Sequence, residues 1–196
     1  MWDREKEKGE RNRWHFQSLH IYLIHEECGR YTGKEKVMEL ILEKANVEYA
    51  KEIYDLQKTS FKSLLDKYQD YDTNPGGEKL ERTIERLEQP FTDFYFITLG
   101  EKHIGAVRIC DFKNRCVLKQ IFILPEYHGY GYAQEAIKMV ESFYTEAERW
   151  ELDTILQEKK LCYLYEKMGY QKTGKTEKIK DGMDLVYYAK EKTGRV

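Results

Sequence analysis

The sequence predicts one mixed α/β domain in which helices cover a β-sheet. Helical and strand periodicities alternate along the chain, in the order strand, two helices, three strands, helix, strand, helix and two strands. No internal period of roughly 20 to 50 residues is visible, which argues against a repeat architecture. With 196 residues, 41% of them hydrophobic, the chain can bury one sizeable core.

The first half of this pattern begins near Met38. Residues 38–43 are predicted to form a strand, and Asn46 to cap a helix whose apolar positions fit helical spacing as far as Tyr68. The turn-rich segment 72–77 ends that helix. A second, short helix then places Leu80, Ile84 and Leu87 on one face.

The second half starts with a hairpin, because residues 94–99 and 104–109 flank the turn Gly100-Glu-Lys-His. A strand over about 116–124 stops at Pro125, and an amphipathic helix is predicted over 132–147. The remaining predicted elements are a strand at 150–156, a helix at 160–168 that Gly169 ends, and two strands around Lys180-Asp-Gly182.

Residues 1–37 differ from the rest of the chain. Residues 1–13 are dominated by charge and carry no apolar period, so they are predicted to be mobile. We interpret 1–37 as a charged, partly mobile N-terminal extension and 38–196 as the functional domain.

Composition excludes several classes of protein. The formal net charge of −2 gives no basic field for nucleic acid, and no apolar run is long enough to cross a bilayer. The four cysteines form no C-x-x-C pair and are interpreted as reduced thiols of a cytoplasmic protein. His15, His20 and His25 are five residues apart, which does not place them on one helical face, so no metal site is predicted.

The segment with the clearest chemistry is Ile121-Phe-Ile-Leu-Pro-Glu-Tyr-His-Gly-Tyr-Gly-Tyr-Ala-Gln134. A β-rich run ends at proline, a short loop carries Gly129 and Gly131, and a helix follows at once. Helix N-termini expose unpaired N–H groups and the positive end of the helix dipole, so this arrangement suits a phosphate or pyrophosphate. By itself it is equally consistent with a tight strand-to-helix connection. It matches neither a dinucleotide fingerprint nor a P-loop.

Two motifs, correctly spaced, indicate a family more specifically than the glycine loop alone. His128-Gly-Tyr-Gly131-Tyr-Ala133 resembles the pyrophosphate motif Arg/Gln-x-x-Gly-x-Gly/Ala of the GNAT (Gcn5-related N-acetyltransferase) family. About 30 residues downstream, Leu164-Tyr-Glu-Lys-Met-Gly-Tyr170 is similar to the family element Leu-Tyr-Glu-Lys-x-Gly-Phe/Tyr. The resemblance covers roughly residues 38–190. It implies the GNAT-like acyl-CoA N-acyltransferase fold, with a central, mostly antiparallel sheet flanked by helices.

The resemblance also implies a cofactor site for acetyl-CoA as the acyl donor. The strands at 116–124 and 150–156 would separate to admit the pantetheine arm, and backbone amides of Ile121, Phe122 and Ile123 would bind it and polarise the acetyl carbonyl. The pyrophosphate would lie on residues 128–134, namely His128, Gly129, Tyr130, Gly131, Tyr132, Ala133 and Gln134. Two positions depart from the family: His128 replaces Arg or Gln, and Glu158 replaces a cofactor-contacting Asn.

Tyr165 is the candidate acid that protonates the leaving thiolate, since a phenol with a pKa near 10 stays protonated at neutral pH. A tyrosine at this helical spacing is also commonly a core residue, and the motif context favours the catalytic role. No general base is identified; Asp111 and Glu151 lie near predicted strands, and the acidic, aromatic segment 68–72 suits either a cationic amine or a solvated loop.

The predicted function is N-acetylation of a primary amine of a small molecule or protein, by a monomer or homodimer. Two alternatives stay open: an acyl-CoA-binding sensor that has lost turnover, suggested by His128 and Glu158, and an interaction protein that uses the charged N-terminal arm. The sequence does not identify the acceptor amine.

Overall fold

The structure is a computed structural model, and it describes residues 39–192. Those residues belong to one compact unit that begins at Val37. The predicted extension over residues 1–37, with its three histidines and Cys28, lies outside the described residues. Among residues 39–192, no helix combines the length and apolar character that a membrane span requires.

One seven-stranded sheet organises the described residues. Its elements, in chain order, are β1 Leu40–Ala45, α1 Ala50–Tyr68, α2 Leu80–Leu87, β2 Thr92–Leu99, β3 Lys102–Asp111, β4 Arg115–Ile123, α3 Tyr132–Phe143, β5 Arg149–Ile155, α4 Lys159–Lys167, β6 Gln171–Lys180 and β7 Met183–Glu191. The strand order is β1-β2-β3-β4-β5-β7-β6. Only the β4–β5 pair is parallel, so the sheet is mostly antiparallel and the predicted fold class is confirmed.

The helices cover opposite faces of this sheet, because successive strand residues point in opposite directions. On one face, Val107 and Ile109 pack with α3 and α4. On the other face, Ala106 and Phe122 pack beneath α1. The candidate site lies between the face covered by α3 and α4 and the face covered by α1.

Most predicted elements are confirmed to within a few residues, and two local details differ. Asn46 does act as a cap, but it caps the short 3-10 turn Val47–Tyr49 that leads into α1, accepting a hydrogen bond from the Glu48 N–H at 2.9 Å. The helix predicted over 132–147 ends at Phe143. Tyr144 leaves the helical conformation and its hydroxyl donates to the Asp93 carboxylate at 2.7 Å, a tertiary contact that the sequence period does not reveal.

Candidate functional site

The central feature of the site is a gap between β4 and β5. These strands are joined through only three residue pairs, the last of which is Val117 with Glu151. On its other side, β4 stays paired with β3 as far as Gly105 opposite Ile123. The edge of β4 over residues 118–123 therefore has no strand partner among residues 39–192, which leaves its outward backbone groups available. The strand separation that the resemblance implied is confirmed.

A β-bulge lies at the start of this free edge. Ile109 is opposite Leu118 and Arg108 is opposite Gln120, so Lys119 is an extra residue on β4. The bulge sends Leu118 into the core beneath α3, while Gln120 faces α1. A bulge bends its strand and increases the local twist. No glycine marks this position, so the sequence alone gave no signal for it.

The glycine loop joins the end of β4 to the start of α3. Gly129 and Gly131 have φ angles of +88° and +86°, a region that favours glycine. Gly131 is the N-cap of α3, and no side chain caps this end of the helix. A Cβ at either glycine would meet no neighbouring atom within 4 Å, so the space beside the loop at these two positions is open. The first-turn N–H groups of α3 are thus available to an anion.

The His128 ring is committed to the protein itself. Its Nε2 donates to the backbone carbonyl of Ile123 at 2.7 Å, which ties the glycine loop to the end of β4. The neutral ring then keeps only Nδ1, an acceptor, for other contacts. In this conformation a neutral His128 ring therefore has no further N–H to donate to a phosphate.

The other predicted cofactor residues surround the same corner of the sheet. Ile121 and Ile123 pack toward the α3 side and Phe122 toward the α1 side, so their side chains are occupied by the core. Tyr132 and Ala133 are half-buried against the apolar cluster that includes Ile123, and Gln134 is also half-buried. The exposed Tyr130 stacks on Tyr132 at 5.8 Å between ring centroids.

Tyr165 lies on the core-facing side of α4. Its ring packs edge-on against Tyr170 at 6.2 Å and beside Tyr188 at 6.3 Å, measured between ring centroids. Its hydroxyl makes no hydrogen bond with any of residues 39–192. Burial raises the pKa of Tyr165 above the ordinary value, and the charges of Asp153 and Cys162 add to the rise. The phenol is therefore protonated throughout the neutral range.

Glu158 is occupied by contacts with α1. Its Oε1 accepts hydrogen bonds from Lys67 Nζ at 2.5 Å and from the Tyr68 hydroxyl at 2.6 Å. Burial alone would raise the pKa of Glu158, but these two donors outweigh it, and the net pKa lies below the ordinary value. The Glu158 carboxylate therefore links α1 to the N-terminal end of α4. The resemblance implied an Asn amide at this position, in contact with the cofactor.

The carboxylates considered from sequence are also engaged. Asp111 accepts from the Lys113 N–H at 2.7 Å, and Glu151 pairs with Arg149 at 2.7 Å at the closed end of the gap. In the acidic segment 68–72, the Asp70 carboxylate is buried and accepts from the N–H of Thr73 at 3.0 Å, so it holds its own turn.

A pair that the sequence did not indicate lies across the gap. Lys119 on β4 and Asp153 on β5 approach to 3.3 Å, two residues beyond the last β4–β5 pair, and both side chains are partly exposed. Nothing in the spacing of these residues indicates the contact, because the bulge and the parallel pairing create it.

Comparison with known proteins agrees with this geometry. The acetyltransferase (GNAT) family matches residues 50–170, and no curated protein sequence matches significantly. An acetyltransferase from Thermus thermophilus is similar in structure, with a TM-score of 0.63 at 14% identity over 79% of this chain and 98% of its own.

Two further solved structures are similar. The ribosomal-protein-S18-alanine N-acetyltransferase from Escherichia coli has a TM-score of 0.64 at 11% identity, over 78% of this chain and 94% of its own. Spermidine N-acetyltransferase from Vibrio cholerae, in complex with CoA and spermine, has a TM-score of 0.62 at 17% identity, over 76% and 94%. At these identities the neighbours show the fold, and the family match covers more than half of the sequence. The chain therefore belongs to the acetyltransferase (GNAT) family.

Proposed function

We propose that the protein transfers an acetyl group directly from acetyl-CoA to a primary amine of a small molecule or protein. The observation that carries the proposal is the gap between β4 and β5, which opens beside the uncapped, glycine-rich N-terminus of α3. Family membership supports the reaction type. Among structural neighbours, one acts on a protein amine and another on spermidine, so both acceptor kinds occur on this fold.

In this proposal the glycine loop binds the donor's pyrophosphate. The backbone N–H groups of residues 129–134 supply the contacts, which require no particular side chain. His128 keeps the loop against the end of β4 through its contact with the Ile123 carbonyl. The departure from Arg or Gln at this position is compatible with binding on those grounds.

The free edge of β4 supplies the polarising contacts. N–H groups of residues 121–123 that point into the gap would bind the pantetheine arm and stabilise negative charge on the thioester oxygen. Fixed backbone donors need no reorganisation during the reaction, which is why this type of contact contributes strongly.

Tyr165 and Asp153 are the proposed proton-handling pair. Tyr165 donates to the sulfur as it gains negative charge, and its protonated state at neutral pH supports that role. An ammonium acceptor loses two protons as its nitrogen becomes an amide: one restores the proton that Tyr165 gives to the leaving thiolate, and the other is released to solvent. Asp153 lies across the gap from β4 and is a carboxylate that can accept the amine proton, with Lys119 holding its position.

A second candidate is an acyl-CoA sensor with little turnover. The side chains of His128 and Glu158 are both engaged within the protein, and this favours the sensor to that extent. Release of free thiol from acetyl-CoA in the presence of varied amines distinguishes the two, because a sensor binds the donor and releases no thiol above background.

Thermal stabilisation tests the donor site. Acetyl-CoA at a hundredfold excess over its dissociation constant is expected to stabilise by about 2.7 kcal/mol, or roughly 5–10 °C in Tm for a chain of this size, while NAD and ATP give much smaller shifts. Gly131→Ala should reduce the acetyl-CoA shift, because a side chain at its positive φ is strained.

Gly182→Ala is the matched control, since Gly182 has a similar positive φ of +78° in the β6–β7 turn, with equal open space. It should lower the Tm of the free protein comparably and leave the ligand-induced shift intact. The donor proposal fails if millimolar acetyl-CoA produces no shift in the unmodified protein.

A further inference from the structure

A buried polar cluster lies on the α1 side of the sheet, beside the gap. We call it the Arg108 cluster; it consists of Arg108 on β3, Gln120 on β4, Gln57 on α1, Glu78, and Arg86 on α2. Arg108 is 9% exposed, Gln120 7% and Gln57 0%. Polar groups so deeply buried are normally hydrogen-bonded.

Two atoms of the cluster have no partner. Arg108 Nε and Gln120 Oε1 are both buried and make no hydrogen bond with any of residues 39–192. No carboxylate in that part of the chain lies within 4.0 Å of the Arg108 guanidinium; its aromatic neighbour is Phe94, with the guanidinium carbon 5.9 Å from the ring centroid. Each such group costs free energy when left unmet, and a buried charge costs most. Arg108 Nε lacks an acceptor and Gln120 Oε1 lacks a donor.

The nearby anion does not neutralise Arg108. Glu78 binds Arg86 through two contacts, at 2.6 and 2.5 Å, and also accepts from Gln57 Nε2 at 3.1 Å. The cluster thus contains two arginines and one carboxylate, and Arg108 carries the uncompensated charge. Burial, followed by the charge of Arg86, lowers the pKa of Arg108 to about 10, which still leaves it cationic at neutral pH.

The position of the cluster places it next to the reacting groups. Arg108 is directly opposite Gln120, and Gln120 immediately follows the bulge at Lys119, where the free edge of β4 begins. Neighbouring strands are about 4.8 Å apart. A group bound at Arg108 is therefore one strand spacing from that edge, and an amine a few bonds away can reach the gap.

We propose that the Arg108 cluster is the acceptor site, and that the acceptor is an amine bearing a carboxylate, such as an amino acid. The guanidinium of Arg108 binds the carboxylate, for which its planar fork is well suited. Gln120 Oε1 accepts an N–H of the substrate amine and holds it at the edge of β4. Gln57 fixes the Gln120 side chain, since Gln120 Nε2 donates to Gln57 Oε1 at 3.2 Å.

This inference rests on the proposed acetyl transfer and restricts the acceptor to amines that bear a carboxylate. The test measures thiol release from acetyl-CoA with leucine, glutamate and phenylalanine, each beside its carboxamide, and with spermidine as an amine without a carboxylate. We expect kcat/KM to be roughly 10- to 100-fold higher for the acids than for their amides, as for loss of a charge-assisted contact in a buried site.

Arg108→Met provides the matched variant. It should raise KM for the acids by a similar factor, leave KM for acetyl-CoA unchanged, and remove the preference for acids over amides. It should also keep or increase the Tm, because an unpaired buried charge is replaced by an apolar side chain of similar length. Arg82→Met on the exposed side of α2, where Arg82 pairs with Glu85 at 2.9 Å, is the control and should change none of these values.

The outcomes separate this proposal from the transfer reaction. If spermidine or the amides are acetylated from acetyl-CoA at rates equal to or above those of the acids, the proposed carboxylate site is wrong. The proposed acetyl transfer is then still supported. Without any turnover, Tm shifts by leucine and leucinamide, each with CoA present, decide the question: a shift by the acid alone supports the carboxylate site, and equal shifts or none overturn it. A lowered Tm with equal losses for acids and amides in Arg108→Met identifies Arg108 as structural and also overturns the proposal.

Discussion

At the scale of single residues, burial keeps the proposed donor Tyr165 in its protonated form. The aromatic rings of Tyr170 and Tyr188 surround it, and its hydroxyl has no hydrogen-bond partner among residues 39–192. A hydroxyl without a partner in this part of the chain, together with a raised pKa, suits the proposed role, in which the phenol donates to a bound molecule.

Substitution of this residue tests its role. Tyr165→Phe should lower kcat by about a hundredfold, within the range for loss of an acid catalyst, and leave KM for acetyl-CoA nearly unchanged. Steady-state thiol release measures both constants. The Tm of Tyr165→Phe should differ little from that of the unmodified protein, since the substitution breaks no hydrogen bond within the described part of the chain. Tyr163→Phe, two residues away and exposed on the same helix, is the control; an unchanged kcat in Tyr165→Phe would contradict the assignment.

At the scale of elements, Glu158 joins the N-terminal end of α4 to the last turn of α1. Two donors from the last turn of α1 hold its carboxylate in the ionised state. The C-terminal part of α1 also packs through Tyr68 on Ile155 and Met183, so the tie adds to an apolar contact. Together these contacts place α1 over the end of the gap.

This tie makes part of the stability dependent on pH. The pKa of Glu158 is lower in the folded protein than in the unfolded chain, so its contribution is fully present above about pH 4.3 and disappears as the pH falls through the folded value. Glu158→Gln should therefore lower the unfolding free energy at pH 7 by about 1 kcal/mol, with the difference shrinking below about pH 4.

Urea unfolding at about pH 7 and pH 3, on either side of the ordinary glutamate pKa, measures this difference. Glu101→Gln, at the exposed β2–β3 turn where Glu101 makes no ion pair within residues 39–192, is the control and should have no effect at either pH. A loss of stability in Glu158→Gln that is equal at both pH values would show that packing, and not charge, accounts for the contact.

At the scale of the whole molecule, all seven strands of the described sheet lie after residue 39. Its first strand begins at Leu40, and Leu40 and Ala45 are both buried in that strand. The family match begins later still, at residue 50. We propose, as the sequence pattern predicts, that residues 38–196 form the folding unit.

A truncated chain that starts at Met38 tests this inference. It should fold with a Tm within about 3 °C of the full chain and keep the shift produced by acetyl-CoA, because it keeps all seven described strands. A second truncation that starts at Asn46 removes β1 and should lose at least several degrees in Tm, since it exposes the apolar surface of β2. Aggregation or unfolding of the Met38 variant would show that residues 1–37 are required for folding.

The local features of this protein follow from its sequence alone. Alternating periods predicted most strands and helices to within a few residues, and Gly129, Gly131, Gly169 and Gly182 all have the positive φ that turns and helix ends require. The strand–loop–helix order around residues 121–134 and the Leu164–Tyr170 motif were sufficient to indicate the family. These signals are local because propensity, capping and turn chemistry act over a few residues.

The meeting of distant side chains, in contrast, follows from the tertiary structure. The bulge at Lys119 turns Gln120 toward Arg108, and the three-residue pairing of β4 with β5 brings Lys119 to Asp153. Neither contact leaves a periodic or motif signal, because each depends on register between strands that are far apart in sequence. The sequence therefore indicated the segment proposed to bind the acyl donor, whereas the packing of α1 and the register of β3 and β4 set what the proposed acceptor side presents.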